Sequence, residues 1–404
     1  MVEAEIVVIG GGIAGASATY HLAAHGRDVA LVERGEIASG ASGVNAGAID
    51  SVGWGHARDL QDHLTAGSAE IFEQVQNGLG VDVEFRRCGG IQGIRTEAER
   101  EFVRRRVGRL RAEGHVADLL TIREARTIEP RLSPALLGAL YAPLRAQADP
   151  VKATRAFASL AEGRGARILT QREVTGIAPR SAGGYAIRTA GGDVLAGTLV
   201  IAAGAWSSQI GAMLDVEIPI APVRGQMWAT ATGAPPRVFQ TIGAVESAMT
   251  WDEDRGGAPP DLTHRSGVRV TRHLYGRQRA NGEIVFGGDR ELLGWDALTP
   301  DPTGVAVNHA HAAEILPFLE HLPITRTWAG LMPFSLDGKP LIGRLPGRDD
   351  VWIVGGLASS GFGRGPMAGK LLADSVHAGA PLPILAEADP ARAIRQNPSP
   401  TALR

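Results

Sequence analysis

The stretch "EIVVIGGGIAGASATYHLAAHGRDVALVERG" at residues 5–35 constrains this chain more than any other. Residues 5–9 are β-branched and apolar, 13–25 carry helical periodicity, and 28–33 form a second short apolar run, which together read as a βαβ unit. Between the first strand and the helix stands Gly10-Gly11-Gly12-Ile13-Ala14-Gly15, a full GxGxxG. Gly10 permits a tight turn, Gly12 lets the backbone approach a pyrophosphate, and Gly15 lets the helix pack on the strand. Free N–H groups and the dipole at the helix N-terminus favour the negative charge of phosphates. Glu33 closes the second strand 18 residues after Gly15, where a carboxylate accepts bonds from a ribose hydroxyl and repels a 2′-phosphate. Turn and acid together predict a bound dinucleotide other than NADP, and leave NAD and FAD open.

Length and composition narrow the class. At 404 residues the chain exceeds the usual size of one compact domain, so two domains sharing a cleft are expected. It is 44% hydrophobic and 21% charged, and its longest apolar runs, Ile6–Ile9 and Thr198–Ala203, are strand-length and too short to span a bilayer. A formal net charge of −2 gives no electrostatic footprint for nucleic acid or an anionic membrane surface. The single cysteine, Cys88, excludes an internal disulfide, a multi-thiolate metal site and a CxxC-type redox pair, so no metal is expected. The first strand begins by about residue 5, which leaves no charged n-region and apolar h-region ahead of it, and the expected location is cytoplasmic.

Further along, "RGEIASGASGVNAGAI" at 34–49 is a glycine- and serine-rich loop. Residues 56–78 and 97–113 read as helices, with strands expected near 82–86 and 90–95. Asp149–Pro150 starts a helix that leads into a strand. Residues 172–206 read as a β-meander with Gly-Gly turns, and 218–290 are strand-rich with a hairpin turn at "RANGE". A helix follows at 303–320, then "PLIG", "VWIVGG" and "GRGPMAGKLLADSV" read as strand, strand and helix. That last helix is expected to begin near Arg364, with Pro366 in its first turn. Residues 391–404, with Pro398 and Pro400, read as a loose tail.

The 34–49 loop separates the two dinucleotides. It follows the acidic residue, where an extended segment can run beneath a second phosphate and a ribityl chain. Ser39, Ser42 and Asn45 would supply donors, and Gly43 and Gly47 the backbone freedom. A nicotinamide enzyme does not need this loop, and there is no second GxGxxG. "EVTGI" offers Val174, whose backbone can bond an adenine edge, and "LVIAAGAWS" brings Ala203, Gly204 and Trp206 back towards the cofactor. Near the C-terminus, "GGLASSGFGRGP" sets small residues before a helix whose N-terminus could face a flavin.

With these pieces in place, the sequence resembles the D-amino-acid oxidase (DAO) superfamily of FAD enzymes, in the branch holding glycine oxidase, sarcosine oxidase and D-amino-acid dehydrogenases. The matching segments run in order over nearly the whole chain, from "VVIGGGIAGASATYHLAAHG" through "ASGVNAGAI", "ADPVKATRAFA", "EVTGI", "LVIAAGAWSSQI" and "PVRGQ" to "WAGLMPFSLDGKPLIG" and "VWIVGGLASSGFGRGPMAGKLLAD". The resemblance implies an α/β architecture. A Rossmann-like FAD-binding domain would come from residues 1–80, 145–215 and 335–390. An α+β substrate domain on a mixed or antiparallel sheet would come from 81–144 and 216–334. It also implies that FAD is held by Gly10, Gly12, Ile13, Ala14, Gly15, Glu33, Arg34, Ser39, Ser42, Asn45, Ala46, Gly47, Val174, Ala203, Gly204, Trp206, Gly330, Gly356, Ser360, Gly361, Phe362 and Gly363.

The activity implied is removal of a hydride from the carbon next to nitrogen of an amino acid or a secondary or cyclic amine, giving an imine that hydrolyses. Positioning and flavin electronics carry most of such chemistry, so no acid–base dyad need be visible. His273 and Tyr275, on a substrate-sheet strand in "TRHLYGRQ", are candidates to face the substrate.

Three departures from the family pattern stand out. Where related sequences read "GLRP", this chain reads Gly330-Leu331-Met332-Pro333, so the usual carboxylate-binding arginine is Met332. Arg364 is the first candidate to replace it, followed by Arg272 and Arg277. No cysteine lies near the segment through which sarcosine oxidase-like relatives tether flavin, so FAD should be non-covalent. From Ala153 to Gly338 there is no lysine of the kind that helps such oxidases use oxygen, which tilts the expected acceptor from oxygen towards a quinone or a partner protein. Homo- and hetero-oligomers are both compatible with this reading. Two alternatives stay open here: FAD-dependent oxidation of a C–OH substrate, and a largely structural FAD subunit of a hetero-oligomer.

Overall fold

The computed structural model describes residues 2–53, 57–235, 237–250 and 262–396. Two eight-stranded sheets organise them. The first runs in the order Leu341–Arg344, Val351–Gly355, Val194–Ile201, Val2–Ile9, Val29–Val32 and Arg167–Leu169. All its neighbours on that path are parallel except the Leu341–Arg344 edge. The hairpin Val174–Pro179 and Tyr185–Thr189 joins it against the start of Val194–Ile201, whose far end pairs with Val351–Gly355 instead. The Val2–Ile9 strand is buried on both faces, with Ile6 and Val8 in one core and Val7 and Ile9 in another. This two-sided burial is why the strand reads as an unbroken apolar run.

On the first face, helix Ile13–Ala24 packs against Gly361–Ala378, which in turn packs on Arg58–Glu73. Leu22, Leu60, Leu64, Leu371 and Leu372 fill the space between them. The Pro150–Glu162 helix lies alongside the first helix. Asp149 caps it, accepting hydrogen bonds from the N–H groups of Val151 at 3.0 Å and Lys152 at 2.9 Å, with Pro150 at the first helical position as the sequence predicts.

The second sheet runs Arg326–Ser335, Ile220–Ala229, Ile284–Leu292, Tyr275–Gln278, Thr241–Ala244, Gly90–Ile94, Gly138–Ala142 and Asp118–Leu120. It is mixed, with one parallel pair between Thr241–Ala244 and Gly90–Ile94. Helix Pro302–Ile315 covers one face, where Ile91, Trp228, Phe286 and Ile315 form a core. The opposite face looks towards the first sheet's glycine turn across a cavity of about 910 Å³.

Some local expectations are corrected. Residues 82–86 are no strand; they hold only a bridge between Arg86 and Gln147, because Glu84 at φ +56° breaks the extended run. The 56–78 helix begins at Arg58 and ends in a wider π turn over Gln74–Gly78, while residue 56 lies outside the described residues. The 303–320 helix ends at Ile315, ahead of a tighter 3₁₀ turn at Pro317–His321. The closing helix starts at Gly361, so Pro366 sits inside it. Gly361 and Gly363 are weak helix formers that hide the true start, and packing on two neighbouring helices overrides that weakness. The expected tail is ordered as far as Gln396, since Arg395–Gln396 pairs with Val216–Glu217 and Ile394 is buried. Pro398 and Pro400 lie outside the described residues.

Candidate active site

The glycine turn is built by steric necessity. Gly10 has φ +118°, and a Cβ there would lie 2.4 Å from the Ala202 carbonyl oxygen. A Cβ on Gly15 would lie 2.0 Å from the Gly10 carbonyl oxygen, so the helix can begin this close only without one. Gly15 therefore packs behind the cavity while Gly10, Gly12, Ile13 and Ala14 line it. A Cβ on Gly12 would meet nothing nearer than Ser42 Oγ at 3.1 Å, so its face is open to the cavity. Gly12 has no side chain to cap this helix. Of the first-turn N–H groups, which have no intrahelical partner, that of Ile13 meets Ser42 Oγ, and Ile13 and Ala14 line the cavity wall.

Glu33 is held by three donors. Its Oε2 accepts the Gly11 N–H at 2.7 Å, and its Oε1 accepts the Gly35 N–H at 2.8 Å and the Ser39 hydroxyl at 3.3 Å. Ser39 is thus a support for the acid. Ser42 Oγ accepts the Ile13 N–H at 2.9 Å and stands directly over the turn. Asn45 works inside its own loop, with Nδ2 donating to the Ala41 and Ser42 carbonyls and Oδ1 accepting the Gly47 N–H at 2.7 Å. Arg34 stacks on the Trp206 ring at 3.6 Å, beside Val174, Ala203 and Gly204.

Opposite, Gly330 comes within contact of this loop: a Cβ there would lie 2.3 Å from Val44 Cγ2. Trp328 Nε1 donates to the Val44 carbonyl at 2.7 Å. Arg277, completely buried, donates to the carbonyls of Ala46 and Ala148 and packs against Gly47, which has φ +81°. Burial pushes its guanidinium down to about 10. Ala46 and Gly47 sit beneath the wall and do not line it. Arg277 is therefore a brace between the second sheet and the 45–47 loop, away from the substrate side where the sequence had set it in reserve.

The closing helix points its N-terminus into the same cavity, which Ser360, Gly361, Phe362, Gly363 and Arg364 line. Gly356 lies behind it, at φ +67°, turning the strand Val351–Gly355 towards this helix. Arg364 is 2% exposed and donates to Gln61 Oε1 at 2.5 Å and Thr65 Oγ1 at 3.2 Å, both on the Arg58–Glu73 helix. Arg272 is corrected outright. It pairs with Glu246 and Glu314, in a cluster shared with Arg95; it and His273 lie in the segment ahead of the strand Tyr275–Gln278, so His273 is not on the strand the sequence suggests.

His273, Tyr275 and Met332 do come together on the cavity wall. Burial pushes His273 down to about 4, so its ring is neutral. Burial pushes the Tyr275 hydroxyl up to about 12 against a backbone hydrogen bond from Ala46, and it donates to Met227 Sδ at 3.5 Å. Two groups that the sequence gave no reason to select join them. These are Arg290, whose Nη2 lies 3.0 Å from His273 Nε2, and Asp50, which pairs with Arg145.

A continuous cavity therefore connects a GxGxxG turn, a hydrogen-bonded acid and a second helix N-terminus to a wall of strand side chains. A family model described as DAO, FAD dependent oxidoreductase, matches residues 5–375. The chain belongs to the DAO family of FAD-dependent oxidoreductases. The open Gly12 cradle and the two helix N-termini fit the cofactor of that family. The glycine oxidase of Geobacillus kaustophilus (strain HTA426) is 28% identical over 378 residues, covering 92% of each chain. A crystal structure of glycine oxidase from Geobacillus kaustophilus superposes with a TM-score of 0.82 at 25% identity, covering 96% of this chain and 98% of that one. L-proline dehydrogenase from P. horikoshii gives a TM-score of 0.79 at 27% identity over 97% of this chain and 98% of its own. Among the described residues of this DAO-family chain, no helix is long and apolar enough to cross a membrane.

Proposed function

We propose that this protein oxidises the carbon next to nitrogen in an amino acid or a secondary or cyclic amine, with non-covalent FAD. The observation that carries this is the shared cavity: the dinucleotide turn and the His273–Tyr275–Met332 wall face one space. Bound FAD supplies the two-electron acceptor. Gly10, Gly12 and the Ile13–Ala24 N-terminus would hold its pyrophosphate, Glu33 its ribose, and the Gly361–Ala378 N-terminus would stabilise negative charge at the flavin end. Cys88 is half-buried away from the cavity, its thiol pushed up by burial, and offers no tether.

The substrate wall holds and orients. Neither neutral His273 nor protonated Tyr275 is a charged base. The Arg290 guanidinium beside His273 disfavours an ammonium and so favours the neutral amine that can give up hydride. Loss of hydride and the nitrogen's proton leaves an imine, which water converts to carbonyl and amine. The electron acceptor is oxygen, a quinone or a partner protein. The three lysines pair with Asp82 and Glu84, with Glu387 and with Asp374, outside the cavity wall, which favours the latter two.

Purified protein should be yellow, and its absorption should bleach without oxygen on addition of an amine substrate. A colourless protein that refuses added FAD would overturn the reading. Met332 in place of arginine keeps oxidation of a C–OH substrate as the second reading, and bleaching by hydroxy acids but not amines would select it.

A further inference from the structure

Met332 leaves the cavity without its expected cation on the Arg326–Ser335 strand, and the adjoining strands supply another. Met332 pairs with Val223 of the central strand Ile220–Ala229, and on that strand's other edge Gln226 pairs with Gly288. Gly225 lies between: a Cβ there would be 3.0 Å from Met332 Cε and 3.6 Å from the Asp289 carbonyl oxygen. With no side chain at Gly225, the end of Met332 lies over this stretch of sheet, next to the strand carrying Arg290. The register slips between Arg224 and Gln226, opposite Asp289 at φ +59°. Such a bulge re-aims the side chains beside it.

Arg290 is fixed by what surrounds it. It is 6% exposed, its N–H donates to Thr263 Oγ1 at 2.7 Å, and its carbonyl accepts the Thr263 N–H at 3.0 Å. A guanidinium has only donors, so the 3.0 Å contact with His273 requires Nε2 to accept and the ring to carry its proton on Nδ1. Asn308 Nδ2 holds the His273 carbonyl at 2.7 Å. Burial pushes Arg290 down to about 9 and His273 to about 4, so a cation sits beside a neutral imidazole at neutral pH. Among the described residues, Arg290 lines the cavity together with His273, Tyr275 and Met332.

We propose that Arg290, positioned by His273, binds the carboxylate of an amino-acid substrate, doing from the Ile284–Leu292 strand what an arginine at position 332 would do. This rests on the amine-oxidising reading and narrows it to substrates that carry an anionic group. A buried carboxylate needs a cation with hydrogen-bond donors, and charge-assisted bonds of this kind are the strong ones.

The test titrates the holoenzyme with pyrrole-2-carboxylate and with pyrrole, and reads the shift of its visible absorption band instead of turnover. The acid should bind and pyrrole should not. Arg290→Met should weaken the acid about 100-fold at unchanged FAD content, and adding Met332→Arg to that variant should restore part of the affinity. His273→Leu should weaken binding, whereas His273→Gln, which keeps an acceptor, should rescue it. Should Arg290→Met not accumulate as holoenzyme, Arg290→Gln keeps a donor to His273 and should show the same loss. Equal binding of the two probes by the unaltered protein, or unchanged affinity in Arg290→Met or Arg290→Gln, overturns the assignment. If no amine bleaches the flavin but the acid still requires Arg290, the proposed reaction falls and this assignment stands. If amino acids and their decarboxylated amines share one KM, this assignment alone falls.

Discussion

The two walls of the cavity are made of different material. The wall proposed for the cofactor is mostly backbone: the Gly10–Gly15 turn, two helix N-termini, and a loop whose Ser42 and Asn45 side chains bond to backbone groups. The wall proposed for the substrate is side chain, with Tyr275, Arg290 and Met332 on three strands of one sheet and His273 in the segment just ahead of the first of them. A backbone wall is specified by where side chains must be absent, and it tolerates almost no change. A side-chain wall can be rebuilt by moving a function from one strand to the next.

That contrast can be broken by experiment. The largest effect is expected from Gly15→Val, which forces a branched side chain into the space taken by the Gly10 carbonyl. The protein should lose FAD altogether, read as the ratio of flavin to protein absorbance. Full occupancy would mean that the turn is not the sterically fixed element described above.

Next is Arg277→Met, which removes charge-assisted bonds to the Ala46 and Ala148 carbonyls and leaves them buried. Denaturant unfolding should register a loss of about 2–3 kcal/mol, with weaker FAD binding because the 45–47 loop loses its brace. An unchanged midpoint would sever the link between the second sheet and the cofactor loop.

Lowering the pH should act on His273, which lines the cavity, and on His21 and His311, which do not. His273 is pushed down from 6.5 to about 4, His21 to about 4 and His311 to about 3, all chiefly by burial. In each case the unfolded chain takes up its proton first. Their contribution to stability is therefore present above pH 6.5 and is lost as pH falls towards 3–4. Unfolding midpoints should decline across that window, and His273→Asn should flatten part of the decline. The smallest effect is Asp149→Ala, which removes a helix cap and should cost about 1 kcal/mol in thermal unfolding without altering the substrate wall.

Legibility followed the same division. The βαβ unit, the meander, the Asp149 cap and the closing helix could be read from local pattern, because each depends on neighbours in sequence. Arg364, Arg272 and Arg277 could be selected as arginines near the right motifs, but not sorted by role. Sorting them needed to know that Gln61 and Thr65 stand beside the first, Glu246 and Glu314 beside the second, and Ala46 and Ala148 beside the third. Arg290 carried no signal, since "GGDREL" reads as the polar end of a strand. The ordered stretch up to Gln396 was hidden for a similar reason: two residues become a strand only when Val216–Glu217 is there to pair with them.

By itself the sequence determined the glycine turn and the acid beside it, because φ +118° at Gly10 and the helix's approach at Gly15 are local steric demands that only glycine meets. Tertiary structure alone decided which charged side chains face the cavity. Strand pairing and one slip of register bring Arg290 to His273 across 17 positions, and no short-range pattern encodes that meeting.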